Sequence, residues 1–158
     1  MTKNLDNDGL RSIVANYDIF YIDLWGVIHD GVVLHKNAII ALEEISKAKK
    51  NYVLLTNAPR PNSTVKIFLE KMGMNEKIRE NVYTSGEAAL SYLKKNQLNK
   101  KFFHIGPPRD FDLFIKFENN KEKNINEGTY LLCTGLFKDH EEDLDYYKEL
   151  FENHTNKK

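Results

Sequence analysis

The sequence is short of the features that mark secreted, membrane-spanning or nucleic-acid-binding chains. A single cysteine, Cys133, excludes an internal disulfide and a cysteine-built zinc site. Its apolar runs stop well short of the roughly 20 residues that a bilayer span requires. The opening MTKNLDNDGLRSI has no apolar stretch of the signal-peptide kind, so a reducing cytoplasm is the expected setting. Charge of one sign is missing too. The 23 basic and 23 acidic residues cancel, which leaves no electrostatic footprint for nucleic acid or an anionic membrane, and neither is expected as a partner. No G-x-G-x-x-G follows the first strand-like run, which disfavours a dinucleotide-binding domain. Internal repeats, low-complexity blocks and glycine–serine linkers are also lacking.

What is present, 158 residues of which 41% are hydrophobic, is enough for one ordinary domain or parts of two smaller ones. Residues 8–16 read as a short helix leading into IFYI at 19–22, which is too short and too β-rich for a helix and suits a strand buried on both faces, closing at Asp23. From Asn37, a good N-cap, the spacing of Ile39, Leu42 and Ile45 predicts an amphipathic helix. A second strand at 52–55 delivers Thr56 and Asn57 into a loop broken by Pro59 and Pro61. Strand, helix, strand at this spacing implies a right-handed parallel crossover. A helix capped by Asn62 and stopped at Gly73 follows, then a strand at 81–84 and a helix opened by a Thr84–Glu87 capping box. Beyond it the pattern predicts a strand at 101–105, a GPPRD turn, a helix at 110–117, a solvated loop at 118–127, a strand at 129–134 and an acidic helix from Asp139.

In open parallel sheets ligands bind at the carboxyl ends of the strands, and two strands deliver Asp23 and Thr56–Asn57 there. A carboxylate at a strand end can attack a phosphoryl group without a base, because it is already ionised at neutral pH, and it can also ligate magnesium. Turn amides around Gly26 and the Thr56 hydroxyl would then hold the phosphoryl oxygens. The residues alone leave a second reading open, since an aspartate that closes a strand is also a common helix cap or turn former. His104 and Cys133 lie in apolar strands and read as core residues; Arg60 and Arg109 are lone arginines able to meet a phosphate or a carboxylate.

Five segments in order, DLWGVIHDG at 23–31, LLTNAPRP at 54–61, VYTSGEAALSYL at 82–93, GPPRD and LLCTGLF, resemble the haloacid dehalogenase-like hydrolases of class IIA, which include nitrophenyl phosphatase-like and sugar phosphatase-like members. The tryptophan form of the first segment is similar to that of a bacterial subgroup. The resemblance implies a Rossmann-like, parallel, three-layer α/β core with an inserted α/β cap of the C2 type. Residues 1–83 would be the N-terminal part of the core and 84–158 an incomplete cap, with the C-terminal part of the core absent. It implies Asp23 as the nucleophile that forms an aspartyl-phosphate, and Asp23 with the Trp25 backbone carbonyl as ligands of Mg2+. Thr56, Asn57 and Gly26 would bind the phosphoryl group of a small phosphorylated substrate.

Two departures accompany the resemblance. Phosphatases of the family carry a second aspartate two residues after the nucleophile, as acid and base; here Trp25 occupies the position and can be neither. His29 and Asp30 are candidates to replace it, though both read more readily as polar residues of a flap hairpin turned at Gly31. The family's later lysine and acidic pair have no counterpart, and Asp139, Glu141, Glu142, Asp143 and Asp145 read as surface charge. The expectation is an inactive piece of a phosphatase, a homo-oligomer being compatible with it. The alternative is a non-catalytic small-molecule-binding or interaction module with an inherited fold.

Overall fold

The computed structural model describes residues 5–6, 8–138 and 140–154, apart from the Phe111 side chain. Asp139, where the acidic helix was expected to begin, lies outside the described residues. The chain divides into two units, residues 1–58 with 62–85, and residues 59–61 with 86–158.

In the first unit two short 3-10 turns, Leu10–Ser12 and Val14–Asn16, stand where a helix was expected. They lead into β1 (Ile19–Asp23), α1 (Lys36–Lys47), β2 (Asn51–Thr56), α2 (Asn62–Lys71), α3 (Glu76–Arg79) and β3 (Val82–Thr84). All three strands are parallel in the order β1-β2-β3. Because this spatial order follows the chain, right-handed crossovers put α1 and α2 on the same face of the sheet. There Leu42 and Ile45 of α1 and Val65 and Leu69 of α2 share one buried cluster with Tyr52, Leu54 and Val82. The opposite face carries Ile19, Tyr21, Leu55 and Tyr83, all exposed. β1 is therefore not buried on both faces, as its apolar run suggested. Its residues alternate, Phe20 and Ile22 packing inward while Ile19, Tyr21 and Asp23 face out.

Boundaries shift for local reasons. α1 begins at Lys36 with His35 as its N-cap and no capping side chain, so Asn37 sits inside the helix. Gly73 ends the α2 segment as expected, in the left-handed region at φ 85° with its N–H donated to the Glu70 carbonyl. Sequence reading missed α3, a four-residue helix capped by Asn75 that buries only Ile78, too short to show a period.

The second unit is built on β4 (Phe102–Ile105), with β5 (Lys121–Glu122) on one side and β6 (Tyr130–Cys133) on the other, all parallel. From α4 (Ser85–Asn96), which crosses the division between units, Leu90 and Leu93 join Phe102, Leu113, Phe114 and Phe117 in its core. The helix expected at 110–117 is instead a succession of 3-10 turns over Pro108–Asn120, broken at Phe114 and Phe117, whose backbones leave helical geometry. Both rings are buried, so tertiary packing overrides the helical pattern. Nor is 118–127 a plain solvated loop. It contributes β5, and a 3-10 turn at Ile125–Glu127 capped by Asn124 that buries Ile125. α5 (Leu144–Glu152) starts later than the acidic run, at an N-cap, Asp143, whose side chain accepts the Tyr146 N–H. No helix of the described residues is long and apolar enough to cross a membrane.

His104 is buried at the centre of this unit, its Nε2 2.8 Å from Thr134 Oγ1 and its ring 4.4 Å from that of Phe114. Burial, aided by the Lys121 charge, pushes its pKa down from 6.5 to about 4. Cys133, by contrast, is exposed at the end of β6 rather than buried; its thiol is raised by desolvation, which leaves it weakly reactive. Because the unfolded chain binds a proton at His104 where the folded unit does not, stability falls as pH drops from 6.5 toward 4. Denaturation followed across that window should show the loss, and His104→Gln should flatten it; an unchanged slope in the variant would assign the loss to other groups.

Candidate functional site

Asp23 is the last residue of β1 and is exposed, with Oδ1 accepting the Leu24 N–H at 2.7 Å. Leu24 is buried in the first unit's core, so the chain turns at a fixed point. Its carbonyl accepts three N–H groups, from Val27 (3.3 Å), Ile28 (2.8 Å) and His29 (3.2 Å). Inside that winding Gly26, at φ 75°, donates its N–H to the His29 carbonyl at 2.8 Å. The loop continues into a hairpin in which His29 pairs with Leu34 across the turn at 30–33.

His29 and Asp30 both have parts in that hairpin. Asp30 Oδ1 accepts the Val32 and Val33 N–H groups, each at 2.9 Å, and these bonds hold its carboxyl below the ordinary value of 3.8. The His29 ring is buried, and its Nδ1 accepts the Gly31 N–H at 3.0 Å, which requires that nitrogen to be unprotonated. Burial lowers its pKa from 6.5, against opposing pulls from Asp30 and Asp23. Edge-on contacts to Trp25 at 5.6 Å and Phe68 at 5.7 Å sandwich the ring. The structure thus gives both residues the hairpin role that the sequence left open beside an acid–base one.

Thr56 ends β2, one residue beyond Leu55, the register partner of Asp23. Its Oγ1 accepts the Ala58 N–H at 3.2 Å, which curls the loop back on the strand end. Asn57 is exposed, and its carbonyl, like that of Ala58, lies within reach of the Ser85 hydroxyl (2.9 and 3.0 Å). Thr84, the register partner of Thr56, is buried, and its N–H is held by Asn62 Oδ1 at 2.9 Å. Sequence reading missed Ser85 and Asn62 as ties around the Thr56 loop, having assigned both stretches to helix capping. Adjacent parallel strands thus bring Asp23 and Thr56 to the same end of one sheet. Trp25, Gly26, His29 and Asp30 share the loop between β1 and α1.

Arg60 is engaged elsewhere. Its guanidinium lies 3.8 Å from Asp110 and 3.5 Å from Asp112 and donates to the Arg109 carbonyl at 2.7 Å, all within the second unit. The acidic run is also structurally occupied: Glu142 accepts from the Tyr147 hydroxyl and the Lys138 N–H, Glu141 pairs with Lys138, and Asp143 caps α5. As a magnesium site, Asp23 offers a hard carboxylate oxygen and Trp25 a carbonyl, both of the type that ion takes. Among the described residues no group of three or more histidine, cysteine, aspartate or glutamate side chains is placed to hold a metal ion. The donors fit magnesium in kind and supply part of a coordination shell.

The family model described as haloacid dehalogenase-like hydrolase matches residues 20–117. No curated protein matches the chain. Among solved structures, a hydrolase of the haloacid dehalogenase-like family from Brucella suis 1330 is 27% identical, with a TM-score of 0.76 over 97% of this chain and 56% of that one. A 4-nitrophenylphosphatase from Thermotoga maritima is 18% identical, with a TM-score of 0.62 over 87% of this chain and 51% of that one. The glycerol phosphate phosphatase from Mycobacterium tuberculosis, solved in complex with magnesium, is 18% identical, with a TM-score of 0.61 over 90% of this chain and 43% of that one. The chain spans about half the length of these structures.

Trp25 is the chain's one tryptophan, so its emission reports the hairpin directly. The Asp30 carboxyl, depressed in the folded state, supports the hairpin above its ordinary value of 3.8 and ceases to as pH falls through that value to the lowered one. Indole emission and exchange of the Val32 and Val33 amides should change together over that window, and Asp30→Ala should show the loosened state already at neutral pH. Val32 and Val33 amides equally protected in Asp30→Ala would remove Asp30 from this role.

Proposed function

The chain belongs to the haloacid dehalogenase-like hydrolases, and from that premise we propose that Asp23 is the nucleophile of a phosphatase acting on a small phosphorylated metabolite. The observation that carries the reading is the shared strand-end position of an exposed Asp23 and of Thr56 on neighbouring parallel strands. The Leu24 N–H holds one carboxylate oxygen, and in this reading the other attacks phosphorus. The bond to the leaving oxygen breaks as the aspartyl-phosphate forms, and water then attacks the phosphorus of that intermediate, releasing phosphate and regenerating Asp23. Thr56, Asn57 and the Gly26 amide hold the phosphoryl oxygens as charge moves onto them. Magnesium, held by Asp23 and the Trp25 carbonyl, supplies charge neutralisation for the phosphoryl group when bound.

Trp25 cannot protonate the leaving oxygen, and His29 and Asp30 are tied into the hairpin. The leaving groups that suit such a site are those that depart as stable anions, such as aryl oxides, whose conjugate acids resemble tyrosine with a pKa of about 10. In the same reading the first unit is the N-terminal part of the core, residues 1–83, and 84–158 belong to the cap. The division of the chain at 85–86 supports that boundary. The exposed, unpaired thiol of Cys133 suits a reducing cytoplasm.

A second reading, a non-catalytic small-molecule-binding module, is favoured by one observation: Trp25 stands beside an incomplete set of metal donors. Turnover of a generic aryl phosphate with magnesium, compared between the protein and Asp23→Asn, separates the two. The nucleophile reading expects Asp23→Asn to lose at least about a thousandfold in turnover. Equal turnover by both would sink it, and the absence of turnover in either would leave the binding module.

A further inference from the structure

Trp25 is 65% exposed, although tryptophan is the side chain with most to gain from burial. It is nevertheless not loose. Its benzo edge closes over Gly31 so tightly that a Cβ built at Gly31 would lie 2.6 Å from the ring, and Gly31 holds φ 96°, which side-chain-bearing residues rarely adopt. Its flank meets the buried His29 ring at 85°, and His29 is itself backed by Phe68 and fixed by the Gly31 N–H. An exposed indole held in one orientation by a glycine and a buried imidazole is a surface ready for contact.

Its position relative to Asp23 gives that contact a chemistry. Leu24 between them is buried, while Asp23 and Trp25 are both exposed at the start of the loop that follows β1. Two residues of extended chain separate their Cα atoms by no more than about 7 Å. A carboxylate and an indole on such near neighbours lie within reach of one small ligand, its phosphoryl group at the first and a ring carried on the phosphoryl oxygen or phosphorus at the second.

We infer that the Trp25 indole is a stacking platform that selects ligands whose phosphoryl group carries an aromatic ring. The ligand's phosphoryl position rests on the Asp23 reading above; the stacking does not. An aliphatic ring of the same size fills the same space but lacks the offset-stacking geometry and quadrupole match that two aromatic rings share.

The test is binding, with phenylphosphonate and cyclohexylphosphonate as non-hydrolysable probes, magnesium present, and affinities from calorimetry beside quenching of the single tryptophan. Phenylphosphonate should quench the emission and bind about tenfold more tightly, the worth of one aromatic stack. Trp25→Leu should abolish the preference, Trp25→Phe should keep most of it, and Gly31→Ala, which displaces the ring, should weaken it. Equal affinities, binding of neither probe, or a preference that survives in Trp25→Leu would each overturn the inference. Asp23→Asn separates the two ideas, because a variant that loses turnover but keeps the aromatic preference supports both. One that keeps turnover and the preference sinks only the nucleophile.

Discussion

The arrangement at the strand end depends on the burial of Leu24. Anchored in the core of the first unit, it fixes where β1 stops, and its carbonyl gathers three N–H groups that wind residues 24–29 into a closed loop. Both neighbours are thereby turned outward, Asp23 with one oxygen on the Leu24 N–H and Trp25 over Gly31. A polar residue at 24 would release the winding and with it the relation of carboxylate to indole. One apolar side chain therefore orders two functional candidates without touching a ligand.

The parallel sheet adds the second requirement. Its register sets Leu55 beside Asp23 and so brings Thr56 to the same end, where the Ala58 N–H, the Ser85 hydroxyl and Asn62 hold the loop and the next strand end. Such sites at sheet ends are economical because the backbone ladder does the positioning. The polar atoms that remain are spent on shaping loops, as with Asp30 and its two amides, or on the buried His29 ring.

Much of this was legible in the residues. The strand–helix–strand order, the closing position of Asp23 and the resemblance to the haloacid dehalogenase-like hydrolases were all readable, because apolar periodicity and ordered motifs are local signals. What was not legible depends on distant packing. The burial of Phe114 and Phe117 turned an expected helix into broken 3-10 turns, and one buried isoleucine, Ile125, organised a stretch whose lysine and asparagine content suggested solvent. The open face of β1 was hidden because an apolar run does not reveal which side of a sheet its crossovers will cover. At the site, the residues present could be named, but the pairing of His29 Nδ1 with the Gly31 amide is a three-dimensional fact that no spacing encodes.

The three residues Pro59–Pro61 belong with the second unit although they interrupt the first, so the chain passes between units at three points rather than one. A boundary drawn through Ser85 and Gly86 does not yield two self-sufficient pieces. Residues 86–154 expressed by themselves would lack the Arg60 guanidinium that faces Asp110 and Asp112, and Asp110 is a buried carboxylate. A buried carboxyl group left in that position without the arginine beside it is costly to keep dry. The second unit is thus discontinuous in the chain, and a cut at a single peptide bond separates its buried carboxylate from the arginine that faces it.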